Sequence, residues 1–280
     1  MSSTGMRPME RLRRLPVHVI LAIYAVVIAY PLIWMVISSF KSSSEIFTDP
    51  WGLPSVWLVQ NYAAAWDRGI SDYFLNSVIV TIVSTLATVA IAALCAYGMV
   101  RLGSRAANVM LVIAMGGLVV APQVSLIPLY RLLDAMGLLN TPWAMILPYV
   151  AFRLPMAILL IRSVFLGIPR ELEDAATIDG CRSLGVFRHV YLPLSASVLT
   201  TTAVLTGYFA WNEFLFAIVY IDTDSLRTIP AGLMSFRDSL STEWGVLLAG
   251  LTIAALPIVV VFIALQRYFV AGVAAGSVKG

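Results

Sequence analysis

The chain has 280 residues, of which 60% are hydrophobic and 12% are charged, and its formal net charge is +3. Soluble domains contain about 45–50% apolar and about 25% charged residues, so this composition excludes an ordinary soluble enzyme and indicates a membrane protein with a mean hydropathy of +0.90. We interpret the small positive charge as a result of membrane topology and of contact with anionic lipid, and not as a sign of nucleic-acid binding.

Six stretches of the chain hold no Asp, Glu, Lys or Arg, or hold only one such residue. A helix needs about 20 apolar residues to cross the hydrocarbon, and each stretch is long enough. The predicted spans are residues 15–40, 73–100, 106–130, 135–161, 190–221 and 244–266. Arg153 interrupts the fourth span and Glu213 interrupts the fifth. We therefore predict an all-α, polytopic membrane protein with six transmembrane helices.

Lys and Arg are unevenly distributed between the two sides of these spans. Twelve lie on the side that holds both termini, five lie on the other side, and Arg153 lies within a span. Because cytoplasmic loops carry the excess of Lys and Arg, both termini are predicted to be cytoplasmic. The predicted organisation is a cytoplasmic N-terminus (1–14), a first span (15–40), an outer loop (41–72), a core with the other five spans (73–270) and a cytoplasmic tail (271–280).

The second span contains small residues at Ala92, Ala93, Ala96 and Gly98. Small side chains let helix backbones approach closely inside a membrane. These positions therefore predict close packing against neighbouring helices.

A polar cytoplasmic segment, residues 168–193, joins the fourth and fifth spans and has a helical pattern. Pro169 suits the first position of a helix, and Glu173 and Asp174 place carboxylates near the positive end of the helix dipole. Gly180 is expected to end the helix because glycine readily adopts a positive φ. The segment holds no nucleophile paired with a base, so it predicts a docking surface and no catalytic residue.

Seven residues of this segment form a spaced pattern: Asp174, Ala175, Ala176, Gly180, Val190, Leu192 and Pro193. The pattern resembles the EAA motif of ABC importer permeases, which reads EAA, three residues, G, nine residues and I-x-L-P. The spacing matches throughout. Asp174 replaces the usual Glu, and Val190 replaces the usual Ile.

Shorter matches in other parts of the chain resemble the carbohydrate-importer permeases of the maltose type. They include Ser39-Phe40-Lys41, Ala96-Tyr97 with Arg101, Trp211-Asn212-Glu213-Phe214 and the ending Gly276-Ser277-Val278-Lys279-Gly280. Each match alone is weak, but together and in this order they surround a correctly spaced EAA pattern. The flanking matches narrow the expected solute to a sugar or oligosaccharide.

This resemblance implies a type I ABC importer permease fold in a bacterial or archaeal cell membrane. It implies a second homologous permease subunit, two ATPase subunits and an extracytoplasmic solute-binding protein as partners. ATP is then expected on the ATPase subunits, because this chain has no G-x-x-x-x-G-K-[ST] phosphate loop. The chain itself is expected to hold no cofactor and no metal, and not to be an enzyme.

The resemblance also implies which residues couple the chain to its ATPase. By position these are Glu173, Asp174, Ala175, Ala176, Asp179, Gly180, Phe187, Leu192 and Pro193. The family's C-terminal tail can also reach the ATPase pair, which makes Ser277, Val278, Lys279 and Gly280 a second expected contact.

The substrate pathway is predicted from polar residues inside the spans, which are costly there and by default functional. We hypothesise that Arg153 faces the pathway and donates to substrate oxygens or to an anionic group. The alternative is an arginine that snorkels to the interface or pairs with a carboxylate. Glu213 is predicted to line the pathway or a gate, with Trp211 stacking on a sugar ring. Asn212 is a further candidate for the pathway, where it could contact sugar hydroxyls, although hydrogen bonding between helices is the favoured interpretation for this residue.

Two other functions remain open from the sequence. The first is an importer for a non-sugar solute such as a phosphorylated polyol, which Arg153 would favour. The second is a membrane sensor or assembly subunit that transports nothing, although the chain holds no long soluble domain of the kind a sensor uses.

Overall fold

The computed structural model describes residues 8–102, 105–236 and 242–277, and these residues form helices and connecting turns with no strand among them. The prediction of an all-α protein is therefore confirmed. By their internal contacts the described residues fall into two compact units. One unit comprises the residues up to Arg68 together with Phe236–Ile253, and the other comprises Gly69–Ser235 together with the residues from Ala254 onward.

In the part of the chain that the structure describes, the first unit contains three helices and the start of the helix α14 (Trp244–Ser277). The three are α1 (Pro8–Ser38), α2 (Ser43–Thr48) and α3 (Gln60–Ala65). After α3 the chain passes through Trp66–Ile70, which is kinked at Gly69 with a φ of +114°, and the first unit ends at Arg68 within this segment.

A buried corner after α1 holds the first unit together. The Lys41 side chain is fully buried, and its Nζ donates a hydrogen bond to the Asp49 carbonyl oxygen at 2.7 Å. Asn61 Nδ2 donates to the carbonyl oxygens of Ser39 at 2.8 Å and Lys41 at 3.0 Å. Gly245 packs so closely that a Cβ there would lie 2.2 Å from the Lys41 carbonyl oxygen. Only glycine fits at this contact.

Ten further helices lie among the described residues of the second unit. They are α4 (Ser71–Leu102), α5 (Arg105–Gly117), α6 (Leu126–Ala135), α7 (Trp143–Phe165), α8 (Arg170–Ile178), α9 (Ser183–Val186), α10 (Leu192–Leu194), α11 (Ala196–Asn212), α12 (Leu215–Tyr220) and α13 (Ile229–Gly232). The final helix, α14 (Trp244–Ser277), contributes to both units. In the second unit α4 packs lengthwise along α7 and α11.

Among the described residues, four helical stretches are long and apolar enough to cross a membrane. They are Pro16–Ser38, Gln60–Arg101 (which includes α3 and most of α4), Trp143–Phe165 and Trp244–Ala264. Two further apolar stretches are helix pairs bent by 89° and 78°, so the number of spans is six if each bent pair counts as one. The 89° bend separates Val109–Gly117 from Pro122–Ala135, where Pro122 cannot donate a helical hydrogen bond. The 78° bend falls at Ser195, between α10 and α11.

The core of the second unit includes the small residues predicted from the sequence. Ala92, Ala93 and Ala96 of α4 are buried in a cluster with residues of α7 such as Ala157 and Ile161. Their prediction as close-packing positions is confirmed. Gly98 differs, because a Cβ at this glycine would meet nothing within 4 Å. The prediction for Gly98 was wrong, since the neighbouring helix leaves open space there.

Candidate functional site

The helix α8 is closed at its C-terminal end by a glycine-based cap. The helix ends at Ile178, and Gly180 adopts a φ of +86°. Cys181 N–H donates to the Ala176 carbonyl at 2.9 Å, and Gly180 N–H donates to the Thr177 carbonyl at 3.0 Å. These two bonds form a Schellman motif, which satisfies carbonyl groups that the helix leaves unpaired. The sequence prediction that the helix ends at Gly180 is confirmed.

The helix α8 presents two chemically different faces. At 3.6 residues per turn, Glu171, Asp174, Ala175 and Ile178 share one side, and all four are exposed. Ile178 is 85% exposed. We call these four residues the outer face of α8. An apolar group flanked by carboxylates makes this face suitable for a protein partner.

The opposite side of α8 contacts the rest of the chain. Ala176 packs against a buried cluster that includes Phe187 and Tyr191. The Glu173 carboxylate forms a salt bridge with Arg101 Nη2 at 2.5 Å and accepts a hydrogen bond from the Tyr191 hydroxyl at 3.0 Å. Glu173 and Ala176 therefore join α8 to α4 and to the segment that precedes α11.

Aromatic rings surround this contact. The Tyr97 ring lies 5.1 Å from the Phe187 ring and 4.9 Å from the Tyr191 ring, measured between centroids. Its hydroxyl donates to the Ser183 carbonyl at 2.8 Å and accepts from Arg101 Nη1 at 3.1 Å. The positions of Arg101 and of the start of α9 are thus fixed by the same tyrosine.

The other predicted coupling residues are divided between core and surface. Phe187 is buried and Leu192 is packed against the same cluster, whereas Asp179 and Pro193 are exposed. Ser277 is the last residue of α14. Val278, Lys279 and Gly280 lie outside the described residues.

Glu213 lies at the break between α11 and α12. Its carboxylate accepts hydrogen bonds from the Tyr149 hydroxyl at 2.7 Å, from Leu215 N–H at 2.8 Å and from Phe216 N–H at 3.1 Å. The backbone donors belong to the first turn of α12, where a carboxylate is favoured. Glu213 therefore holds two helices and a neighbouring tyrosine together at the break.

Arg153 has a different environment in α7. Its guanidinium carbon lies 4.8 Å from the centroid of the Phe209 ring, a cation–π geometry. Its Nε is buried without a hydrogen-bond partner within the part of the chain that the structure describes. None of the salt bridges formed by the described residues involves Arg153. The charge is therefore balanced by no carboxylate among these residues.

Trp211 and Asn212 both have partners in the same unit. Trp211 is buried, and its Nε1 donates to the Ala254 carbonyl at 3.0 Å. Asn212 is exposed and its Nδ2 donates to the Tyr208 carbonyl of its own helix at 2.8 Å. Trp211 also lines a cleft of about 680 Å³ among α4, α11 and α14, whose walls are predominantly apolar. Among the residues described, no group of three His, Cys, Asp or Glu could hold a metal ion.

Comparison with known protein families identifies the family to which this chain belongs. A family model described as "Binding-protein-dependent transport system inner membrane component" matches residues 88–275. That match covers more than half of the chain and includes α8 and both bent helix pairs. The chain belongs to this family. The permease is thus a multi-pass protein of the inner membrane and a component of a binding-protein-dependent ABC importer, and it is not that importer's ATPase.

Individual relatives agree with this assignment. The permease is 56% identical over 264 residues to the probable ABC transporter permease protein YurM of Bacillus subtilis strain 168, covering 94% of this chain and 88% of the relative. It is 32% identical over 280 residues to the trehalose/maltose transport system permease protein MalG of Thermococcus litoralis, covering 97% and 99% of the two chains.

A solved structure shares the fold of the permease. It is the crystal structure of a bacterial ABC transporter involved in the import of the acidic polysaccharide alginate. The TM-score is 0.81 at 21% sequence identity, and the match covers 95% of this chain and 100% of the other. The predicted permease fold is therefore confirmed.

Sequence reasoning on the permease missed Ile178 and the partners of Glu173. Ile178 lies four residues after Asp174 and three after Ala175, so a helical-face analysis would have grouped all three. The contact of Glu173 with Arg101 joins residues far apart in the sequence. No local pattern could have indicated it.

Proposed function

We propose that this permease forms half of the translocation path of an ATP-driven importer for a sugar or oligosaccharide. Its proposed partners are a second homologous permease subunit, two ATPase subunits and an extracytoplasmic solute-binding protein. The observation that carries the proposal is the outer face of α8, which leaves Ile178 85% exposed on a capped helix. The sugar assignment is supported by the trehalose/maltose transport relative.

The outer face of α8 is the proposed ATPase contact. Asp174 and Ala175 supply a carboxylate beside a small residue, and Ile178 supplies an apolar side chain that a protein groove can cover. Glu173, Ala176, Phe187 and Leu192 are proposed to contribute from the inner side, by holding the helix in place. Asp179, Gly180 and Pro193 complete the proposed segment, and Ser277–Gly280 are a proposed additional contact.

The proposed mechanism is thermodynamic coupling. ATP binding favours one arrangement of the ATPase pair, and a helix docked on that pair transmits the preference to the membrane spans. A partner can shift such an equilibrium only by its difference in affinity for the two states. The docked helix must therefore be firmly attached to the spans.

Arg153 and Glu213 are the residues we propose for the substrate pathway. Trp211 and Asn212 are adjacent candidates, although their nitrogen donors are used within the chain. Arg153 also favours a second candidate function. Its guanidinium has no carboxylate partner among the described residues, as expected if the solute is anionic, such as a phosphorylated polyol.

Uptake into proteoliposomes tests the proposal. The permease is reconstituted with its partner permease, ATPase subunits and binding protein, and labelled maltose, trehalose and sorbitol 6-phosphate are supplied separately. We expect uptake of a neutral disaccharide that requires both ATP and the binding protein. Uptake of sorbitol 6-phosphate alone would favour the second candidate. Uptake without ATP would contradict both.

A further inference from the structure

One carboxylate on the inner side of α8 contacts two different membrane segments. We propose that Arg101, Glu173 and Tyr191, here called the Glu173 linkage, transmit the movement of α8 to α4 and to α11. Glu173 then acts inside the permease and does not touch the ATPase. The inference rests on the proposed function, because α8 must first be moved by a partner.

The geometry makes Glu173 unsuitable as a docking residue. Its side chain is 16% exposed, and one carboxylate oxygen lies 2.5 Å from Arg101 Nη2. The other oxygen accepts from the Tyr191 hydroxyl at 3.0 Å. Both oxygens are therefore engaged within the chain. Asp174, the next residue, lies on the exposed side.

Each contact of the Glu173 linkage leads to a different span. Arg101 is in the last turn of α4, a helix of 32 residues that packs along α7 and α11. Tyr191 ends a π-helical turn (Phe187–Tyr191) that runs directly into α10 and the bend at Ser195 before α11. A displacement of α8 therefore acts on two spans through one side chain.

The Glu173 linkage is also held in a single geometry. Arg101 is fixed by the Tyr97 hydroxyl at 3.1 Å and by the Tyr97 ring, whose centroid lies 5.7 Å from the guanidinium carbon. Tyr191 is fixed by the rings of Tyr97 and Phe165. Charge-assisted hydrogen bonds are stronger and shorter than neutral ones. These contacts restrict the side-chain rotamers of Arg101 and Tyr191.

The backbone provides a weaker connection. Between α7 and α8 the chain passes through residues 166–169, which include Gly167 and Pro169. After α8 it passes through the Gly180 turn. Neither connection continues a helical hydrogen-bond ladder from α8 into a span, so the side-chain contacts supply the direct attachment.

The test uses the assembled complex and needs no transported solute. Hydrogen–deuterium exchange is measured with and without ATP in wild type, Glu173→Ala, Arg101→Gln and Tyr191→Phe. In wild type we expect ATP to change exchange in α8, in the cytoplasmic end of α4 and in the start of α11. Arg101→Gln should lose the response of α4, Tyr191→Phe should lose that of α11, and Glu173→Ala should lose both.

Co-purification of the ATPase subunits gives the second readout. All three variants should retain the ATPase, because the outer face of α8 is unchanged. The double variant Arg101→Gln/Glu173→Ala leaves neither charge of the ion pair without its partner. Its loss of the ATP-dependent exchange response in α4 and α11 should be no larger than that of Glu173→Ala alone. Arg105→Gln is the matched control, because Arg105 is exposed at the start of α5, and it should respond as wild type does.

The outcomes separate this inference from the proposed function. Unchanged responses of α4 and α11 in the variants, or loss of the ATPase from Glu173→Ala, would overturn the inference alone. A wild-type permease that binds no ATPase would overturn the proposed function, and the inference with it.

Discussion

Arg153 and Glu213 are both ionisable residues within predicted spans, but they differ in the hydrogen-bond partners that the chain gives them. Glu213 accepts hydrogen bonds from Tyr149, Leu215 and Phe216. Arg153 lies against the Phe209 ring, and its Nε has no partner among the described residues. A charge left unsatisfied inside a membrane is costly. A ligand that completes the hydrogen bonding of Arg153 would therefore gain free energy.

We predict that Arg153→Ala lowers solute uptake by about tenfold to a hundredfold, because a hydrogen bond to a charged group contributes about 1.5–3 kcal/mol. Arg153→Lys is the matched control, since it keeps the charge, and should retain more uptake than Arg153→Ala. Labelled-solute uptake at equal expression measures both. Unchanged uptake in Arg153→Ala would mean that Arg153 only packs on Phe209 or snorkels.

At the residue scale, the sequence indicated the important positions but not their neighbours. Asp174, Ala175 and Ala176 could be located from spacing, whereas their division between exposed and packed sides depends on how α8 lies against α9 and residues 187–191. Glu173 was predicted to couple to the ATPase, yet its carboxylate contacts Arg101 and Tyr191. Such contacts depend on tertiary packing, which spacing along one helix does not contain.

Among the elements, α8 depends most visibly on a single residue. Gly180 has a φ of +86° and supports the two hydrogen bonds that close the helix. An L-residue with a side chain pays about 1–2 kcal/mol in this left-handed region. The helix end is therefore specified by backbone conformation, not by packing, because a Cβ at Gly180 would meet nothing within 4 Å.

We predict that Gly180→Ala destabilises the end of α8 by about 1–2 kcal/mol through this backbone strain. Gly98→Ala is the matched control, because Gly98 also has open space around its Cβ position but lies in the regular helix α4. It should be neutral or stabilising by up to about 1 kcal/mol. Thermal unfolding of the two purified variants in detergent makes the comparison. If Gly180→Ala and Gly98→Ala were equally stable, the positive φ of Gly180 would not be required to end α8.

Elements were predictable where hydrophobic length decides the structure. The apolar windows at 15–40, 73–100 and 244–266 each correspond to a single long helix. The windows at 106–130 and 190–221 look equally continuous in the sequence, yet the chain bends by 89° and 78° there. The hydropathy of a stretch does not indicate whether its helix stays straight or bends. The local signals, Pro122 and Pro193, were present but do not by themselves set an angle.

At the scale of the whole molecule, the fold could be predicted from composition and motif spacing, whereas the identity of the solute could not. Six apolar stretches and a spaced EAA pattern were sufficient to indicate a permease, and the family match confirms it. In our proposal, solute identity depends on a few polar contacts, such as those of Arg153, and on partner subunits. Neither is encoded as a repeating pattern in one chain.

The central claim is that the outer face of α8 is held by an ATPase subunit, and site-specific photo-crosslinking tests it most directly. A benzophenone amino acid is introduced in place of Ile178 in the assembled transporter, and in place of Ile113 as the control. Ile113 is 69% exposed but lies on α5, within an apolar stretch. We predict a cross-link to the ATPase from position 178 and none from position 113. An assembled transporter with no ATPase cross-link from position 178 would contradict the account.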